Sequence, residues 1–210
     1  MPVDDGAARH LAGSALPPVA LPSSSGGTVR LDDPGISLAV VYCYPRTGRP
    51  DADALCGTES WNKIPGARGC TPQSCAYRDS YHGLQRLGAT VYGLSTQTTE
   101  YQREAVSRLQ LPFSLLSDSA GEFSASLRLP WFQVEGVRLL KRLTLIIGRA
   151  RILHCILLMV ARYIFRLTFG VLAVFLGLAI IAWVCYNEFV ERLPQYGGFH
   201  WWEPFDLDRG

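Results

Sequence analysis

Residues 38–44 read Leu-Ala-Val-Val-Tyr-Cys-Tyr and stop at Pro45, an unbroken apolar run with β-branched and aromatic members. A run this short without polar alternation predicts a strand buried on both faces, and burying both faces requires cover on each side. Residues 90–94 and 143–147 repeat the pattern, and residues 113–116 repeat it more briefly before Ser117-Asp118. Between these runs the spacing predicts a helix over 70–87 that stops at Gly88, a polar helix over 99–109 and a short helix over 120–127. Strands alternating with helices predict an α/β fold with a largely parallel or mixed central sheet flanked by helices.

The flanks differ from this middle. Residues 1–28 are rich in alanine, glycine, serine and proline, with Ser23-Ser24-Ser25-Gly26-Gly27 the most flexible portion, and are expected to be a loose tail with at most an edge strand. They lack a basic start followed by an apolar run, so no secretory signal is expected and the α/β part is placed in a reducing cytoplasm. From 167 to 186 the chain has 20 residues without a charge, which as a helix would span about 30 Å. That run predicts a transmembrane helix; a buried core helix is the weaker alternative, because core helices of that length have a polar face. Arg149, Arg151, Arg162 and Arg166 precede the run, and Glu188 and Glu191 with Arg192 follow it, an asymmetry that predicts a single-pass membrane protein with its N-terminal side in the cytoplasm. The expected organisation is therefore a tail over 1–28, a thioredoxin-like domain over 29–156, an interfacial stretch and membrane helix over 157–186, and a short tail over 187–210.

Composition removes several functions. The 210 residues are 48% hydrophobic and 18% charged, so a packed core is expected, and a net charge of +2 with no basic stripe argues against nucleic-acid binding. His10, His82, His154 and His200 are scattered and none of the six cysteines forms a C-x-x-C pair, so neither a metal nor a cofactor is expected. Cys43 lies in mid-strand, Cys155 and Cys185 lie in apolar runs, and Cys56 is a spare thiol in the loop from 46 to 65.

Cys70 and Cys75 are different. They stand in Gly69-Cys70-Thr71-Pro72-Gln73-Ser74-Cys75, with proline where a first helical turn tolerates it. A helix start offers Cys70 backbone N–H donors and the positive end of the dipole, which favour a thiolate, and Arg68, Arg78 and Arg142 are the cations available to lower its pKa further. Peroxide attack by that thiolate yields a sulfenic acid that a nearby thiol condenses to a disulfide. On a regular helix, side chains five positions apart diverge by roughly 140° and their Cα atoms stand beyond the ~7 Å that a disulfide allows. The first turn must unwind for Cys70 and Cys75 to join.

With its following Ala76-Tyr77-Arg78-Asp79, this stretch resembles the paired cysteines of the peroxiredoxins, specifically the Q-type or bacterioferritin-comigratory-like subgroup of the alkyl hydroperoxide reductase and thiol-specific antioxidant superfamily. Tyr92-Gly93-Leu94-Ser95, residues 111–118 and Lys141-Arg142-Leu143-Thr144 resemble its later strands. The resemblance covers about residues 15–155 and implies reduction of hydrogen peroxide and organic hydroperoxides with a thioredoxin-like reductant. It casts Cys70 as peroxidatic, Cys75 as resolving, and Arg142 as the active-site arginine. The chain departs from the family in two ways: Lys63 and Ala67 stand where the signature has proline and a hydroxyl, leaving Thr71 or Ser95 as substitutes, and the membrane run replaces the closing helix. An alternative is a catalytically weak redox sensor or membrane scaffold with the same fold. A thioredoxin-type oxidoreductase fits less well, since that chemistry uses two intervening residues rather than four.

Overall fold

The structure, a computed structural model, describes residues 6–156. A 3₁₀ turn (Arg9–Leu11) precedes β1 (Ala20–Pro22) and β2 (Thr28–Arg30), and then come β3 (Ala39–Cys43), α1 (Thr58–Lys63), α2 (Cys70–Asp79), α3 (Tyr81–Arg86) and β4 (Thr90–Ser95). The chain continues through α4 (Thr99–Leu109), β5 (Leu115–Ser117), α5 (Glu122–Ser126), β6 (Trp131–Val134), β7 (Val137–Leu140), β8 (Leu143–Gly148) and β9 (Arg151–Ile156). The main sheet has the order β5-β4-β3-β8-β9, with β3, β4 and β5 parallel and β8 and β9 antiparallel.

β3 is central, and all five of its residues are buried. Alternation divides them between two cores. Val41 and Cys43 join Leu94, Phe123, Leu140 and Leu145 on one face, and Tyr42 and Tyr44 join Cys70, Val91, Ala105 and Leu115 on the other. The antiparallel register sets Cys43 opposite Leu143. Arg142, one residue earlier, therefore lies beside the point where the chain leaves β3.

The expected loose tail is corrected for its described part. Leu11, Leu16 and Leu21 are buried in the main core. Leu16 N–H donates to the Ala150 carbonyl and Ile152 N–H to the Ser14 carbonyl, while Ser24 N–H donates to the Leu115 carbonyl. The arm thus covers both edges of the sheet, β9 with residues 13–16 and β5 with residues 23–24. Composition hid this because edge pairing uses backbone groups, which any residue supplies.

Two local readings also change. The helix over 70–87 is split at Ser80, after Asp79, both weak helix formers. The stretch before β8 is a hairpin of β6 and β7 whose turn, Glu135-Gly136, takes φ of 47° and 77°. That is the positive-φ pair of a two-residue turn without the usual Asn-Gly signal. No helix among the described residues is long and apolar enough to cross a membrane. The run expected to span one, residues 167–186, and its flanks lie outside the described residues.

Gly93 is where the sheet admits no side chain. A Cβ there would lie 2.5 Å from Leu115 Cδ2 and 2.7 Å from Tyr42 Cζ, both fully buried. Gly93→Ala is expected to destabilise the domain by about 1–3 kcal/mol in chemical denaturation, the usual cost of overpacking. An unchanged midpoint would show that Tyr42 moves freely.

Candidate active site

Cys70 is the first residue of α2 and is 3% exposed. The segment that leads to it turns on Gly66 (φ 82°) and Gly69 (φ 89°), left-handed conformations that favour glycine. These turns make successive carbonyls converge on one side chain. The Arg142 guanidinium donates from Nε to the Gly66 carbonyl at 2.8 Å and from Nη1 to the Gly69 carbonyl at 2.9 Å. Its Nη2 donates to the Ala67 carbonyl at 3.3 Å and also to that of Arg68. Nη1 reaches Gln73 Oε1 at 2.9 Å, and Nη2 reaches Cys70 Sγ at 3.0 Å.

The Arg46 backbone N–H, just after Pro45, also favours the charged form of this sulfur. The Cys70 thiol in turn points to the Ala67 carbonyl at 3.6 Å. Burial is the strongest influence on this thiol and pushes it above its ordinary range, while the Arg142 charge and the N–H groups of Arg46 and Cys70 pull it down. The sequence expectation of a lowered pKa is corrected: a site nearly closed to water loses more solvation of the anion than one guanidinium and two N–H groups restore.

The structure brings Cys70 and Arg142 together and leaves other candidates apart. Arg78 pairs with Asp79 at 2.9 Å and donates to the Leu109 carbonyl, and Arg68 contributes its carbonyl while its side chain is exposed. Thr71 is half-buried and is not among the groups bonded to the sulfur. The Ser95 hydroxyl accepts from Gln97 N–H and Gln102 Nε2, so it is engaged elsewhere. Cys75 is half-buried on the same continuous helix, and both cysteines are free thiols.

Sequence reasoning missed Gln73. It also missed the bonds that hold α2 down: the Tyr42 hydroxyl donates to Ser74 Oγ at 3.0 Å, the Tyr77 and Thr144 hydroxyls meet at 2.7 Å, and Tyr42 and Tyr77 stack with centroids 4.4 Å apart.

A model of the AhpC/TSA family matches residues 62–155. The chain is similar to the chloroplastic peroxiredoxin Q of Sedum lineare, 33% identical over 115 residues that make up 55% of this chain and 52% of that protein. It is also similar to peroxiredoxin bcp1 of Schizosaccharomyces pombe, 31% identical over 111 residues, 52% of this chain and 48% of that one. The chain spans about half the length of the curated relatives it matches. Among solved structures it resembles peroxidoxin BcpB of Mycobacterium tuberculosis, with a TM-score of 0.54 and 22% identity, covering 69% of this chain and 84% of that one. A peroxiredoxin Q mutant of Xanthomonas campestris has a TM-score of 0.53 and 17% identity, covering 78% and 98%.

These likenesses in structure carry the fold, which is a thioredoxin-like α/β fold with a mixed central sheet. The expected membrane localisation, with a domain facing the cytoplasm, is corrected. The relatives from Sedum lineare and Arabidopsis thaliana are named as chloroplastic, and no membrane-spanning helix occurs among the described residues. That expectation rested on the length of the uncharged run and on the arginines that precede it.

With burial opposed mainly by Arg142, Arg142→Gln should move the midpoint of pH-dependent Cys70 alkylation upward from its wild-type position, because removing the cation leaves desolvation less opposed. An identical midpoint would remove Arg142 from the electrostatics of the sulfur.

Proposed function

We propose that this chain is a thiol peroxidase of the Q-type peroxiredoxin kind, reducing hydrogen peroxide and organic hydroperoxides. The observation that carries the reading is the 3.0 Å contact of Arg142 Nη2 with a Cys70 sulfur at the first position of a helix. Its support from similarity is the AhpC/TSA match across that helix and the peroxiredoxin Q relatives. The published description of one structural neighbour, the bacterioferritin comigratory protein of Xanthomonas campestris, refers to alkyl peroxide reduction.

The reaction follows from the donors. Cys70 loses its proton and the thiolate attacks the outer oxygen of the hydroperoxide; the S–O bond forms as the O–O bond breaks. The departing alkoxide or hydroxide takes a proton equivalent to the one the thiol lost and leaves as alcohol or water. Arg142 faces the sulfur and serves the charge that passes from it to the oxygens, acting in a site already shielded from water. Cys70 becomes a sulfenic acid. The Cys75 thiol then attacks that sulfur, forming the disulfide and releasing water, after the first turn of α2 opens. A thioredoxin-like dithiol returns both cysteines to thiols and is itself oxidised to a disulfide.

The burial of Cys70, which is 3% exposed, favours the second reading, a redox sensor with little turnover, because desolvation opposes the thiolate. Peroxide consumption with a thioredoxin system separates the two. For the peroxidase, Cys70→Ser should abolish consumption, whereas Cys75→Ser should react once and stop as a dimedone-reactive sulfenic acid. Arg142→Gln should slow the single-turnover step by about a hundredfold, the usual loss for one donor removed from such a site. Equal loss of the first turnover in both cysteine variants would overturn the assignment.

A further inference from the structure

Ser74 lies between the two cysteines and is fully buried where α2 meets the sheet. Its Oγ accepts from the hydroxyl of Tyr42 on β3 at 3.0 Å. Tyr42 cannot follow Ser74 when the turn opens. Its ring stacks on Tyr77 at 4.4 Å and meets Phe113 at 6.0 Å and Tyr44 at 5.7 Å, and its hydroxyl closes on Gly93, where an added Cβ would lie 2.8 Å from the oxygen. Opening the turn therefore strips a buried phenol hydroxyl of its partner, which costs more than exchanging a bond with water. The other restraint on this turn, Gln73 to Arg142, shares its guanidinium with the sulfur, whereas the Tyr42–Ser74 bond involves neither Arg142 nor Cys70.

From this arrangement we infer that Tyr42 and Ser74 form a latch that sets how long the Cys70 sulfenic acid lasts, and so divides it between two fates. In one, the Cys75 thiol attacks the sulfur, the S–S bond forms, the S–O bond breaks and water leaves with the thiol proton. In the other, the sulfenic acid attacks a second hydroperoxide: a second S–O bond forms as the O–O bond breaks, the sulfenic proton passes to the departing oxygen, and a sulfinic acid and an alcohol or water result. Only the first fate needs the turn opened. The latch therefore favours the second as peroxide rises, and Tyr42 and Ser74 are positioning residues for the resolving step with no bond to the sulfur. The inference rests on the peroxidase reading and goes beyond it.

The full chain is treated with one equivalent of hydrogen peroxide and quenched with dimedone, and intact mass follows sulfenic acid and disulfide over time. Ser74→Ala, Tyr42→Phe and the two combined should each shorten the sulfenic lifetime by about fivefold, the shift in opening that one net hydrogen bond commands, and the pair should do no more than either alone. The first equivalent should be consumed at the wild-type rate, and about fivefold more peroxide should be needed to carry Cys70 to the sulfinic acid. Tyr77→Phe loses the bond to Thr144, beyond Cys75, and should leave the lifetime unchanged. Unchanged lifetimes in both single variants, additive effects in the double, or equal shortening in Tyr77→Phe would overturn the latch. If the wild-type protein forms neither sulfenic acid nor disulfide with peroxide, the peroxidase reading fails, and the latch is judged separately with diamide, which oxidises two thiols to a disulfide and is itself reduced to the hydrazine. Faster closure of Cys70 on Cys75 in Ser74→Ala supports the latch, and an equal rate or no closure overturns it.

Discussion

A single guanidinium organises the candidate site. Arg142 is only 9% exposed, and a buried cation is tolerated only when its donors are met. It meets the carbonyls of Gly66, Ala67, Arg68 and Gly69, the Gln73 amide oxygen and the Cys70 sulfur. The carbonyls converge because Gly66 and Gly69 adopt positive φ, and the arginine reaches them because β8 begins beside the end of β3. Four carbonyl dipoles compensate the charge in part, and a thiolate at Cys70 would compensate it fully. Ionisation of the cysteine and conformation of the segment before it are thus joined through one side chain.

The same helix that orders the cysteine keeps it from its partner. Cys70 and Cys75 share a regular ten-residue helix, and a disulfide between them needs the first turn undone. Against that stand the bonds of Gln73 to Arg142 and of Ser74 to Tyr42, each worth on the order of 1 kcal/mol net. Neither residue is at the sulfur, yet both weigh on the proposed second step. Further along, Tyr77 is anchored to Thr144 and stacked on Tyr42, which keeps the rest of the helix on the sheet while its start opens. The opening required is local.

The arm before β3 serves stability rather than chemistry. Its backbone covers β9 at residues 13–16 and β5 at residues 23–24, so neither outer strand of the sheet presents a bare row of donors and acceptors there. Leu11, Leu16 and Leu21 hold it to the core, spaced by five residues and so invisible to a helix or strand period. These leucines belong to the core on the face of the sheet away from Cys70.

The apolar runs at 38–44, 90–94 and 143–147 and the helical spacing between them were sufficient to read the α/β order, because strand and helix periods are local properties of the chain. The pairing of Cys70 with Arg142 was legible through family resemblance, and the need to unwind Cys70 from Cys75 through helix geometry alone. The hairpin at Glu135-Gly136 was not legible, since its turn lacks the residues that announce one. Nor was the Gln73 contact with Arg142, which depends on how β8 is placed against the start of α2. The balance at Cys70 was likewise decided by tertiary structure. A helix start and nearby arginines can be read in one dimension, whereas desolvation depends on everything that packs around the sulfur in three.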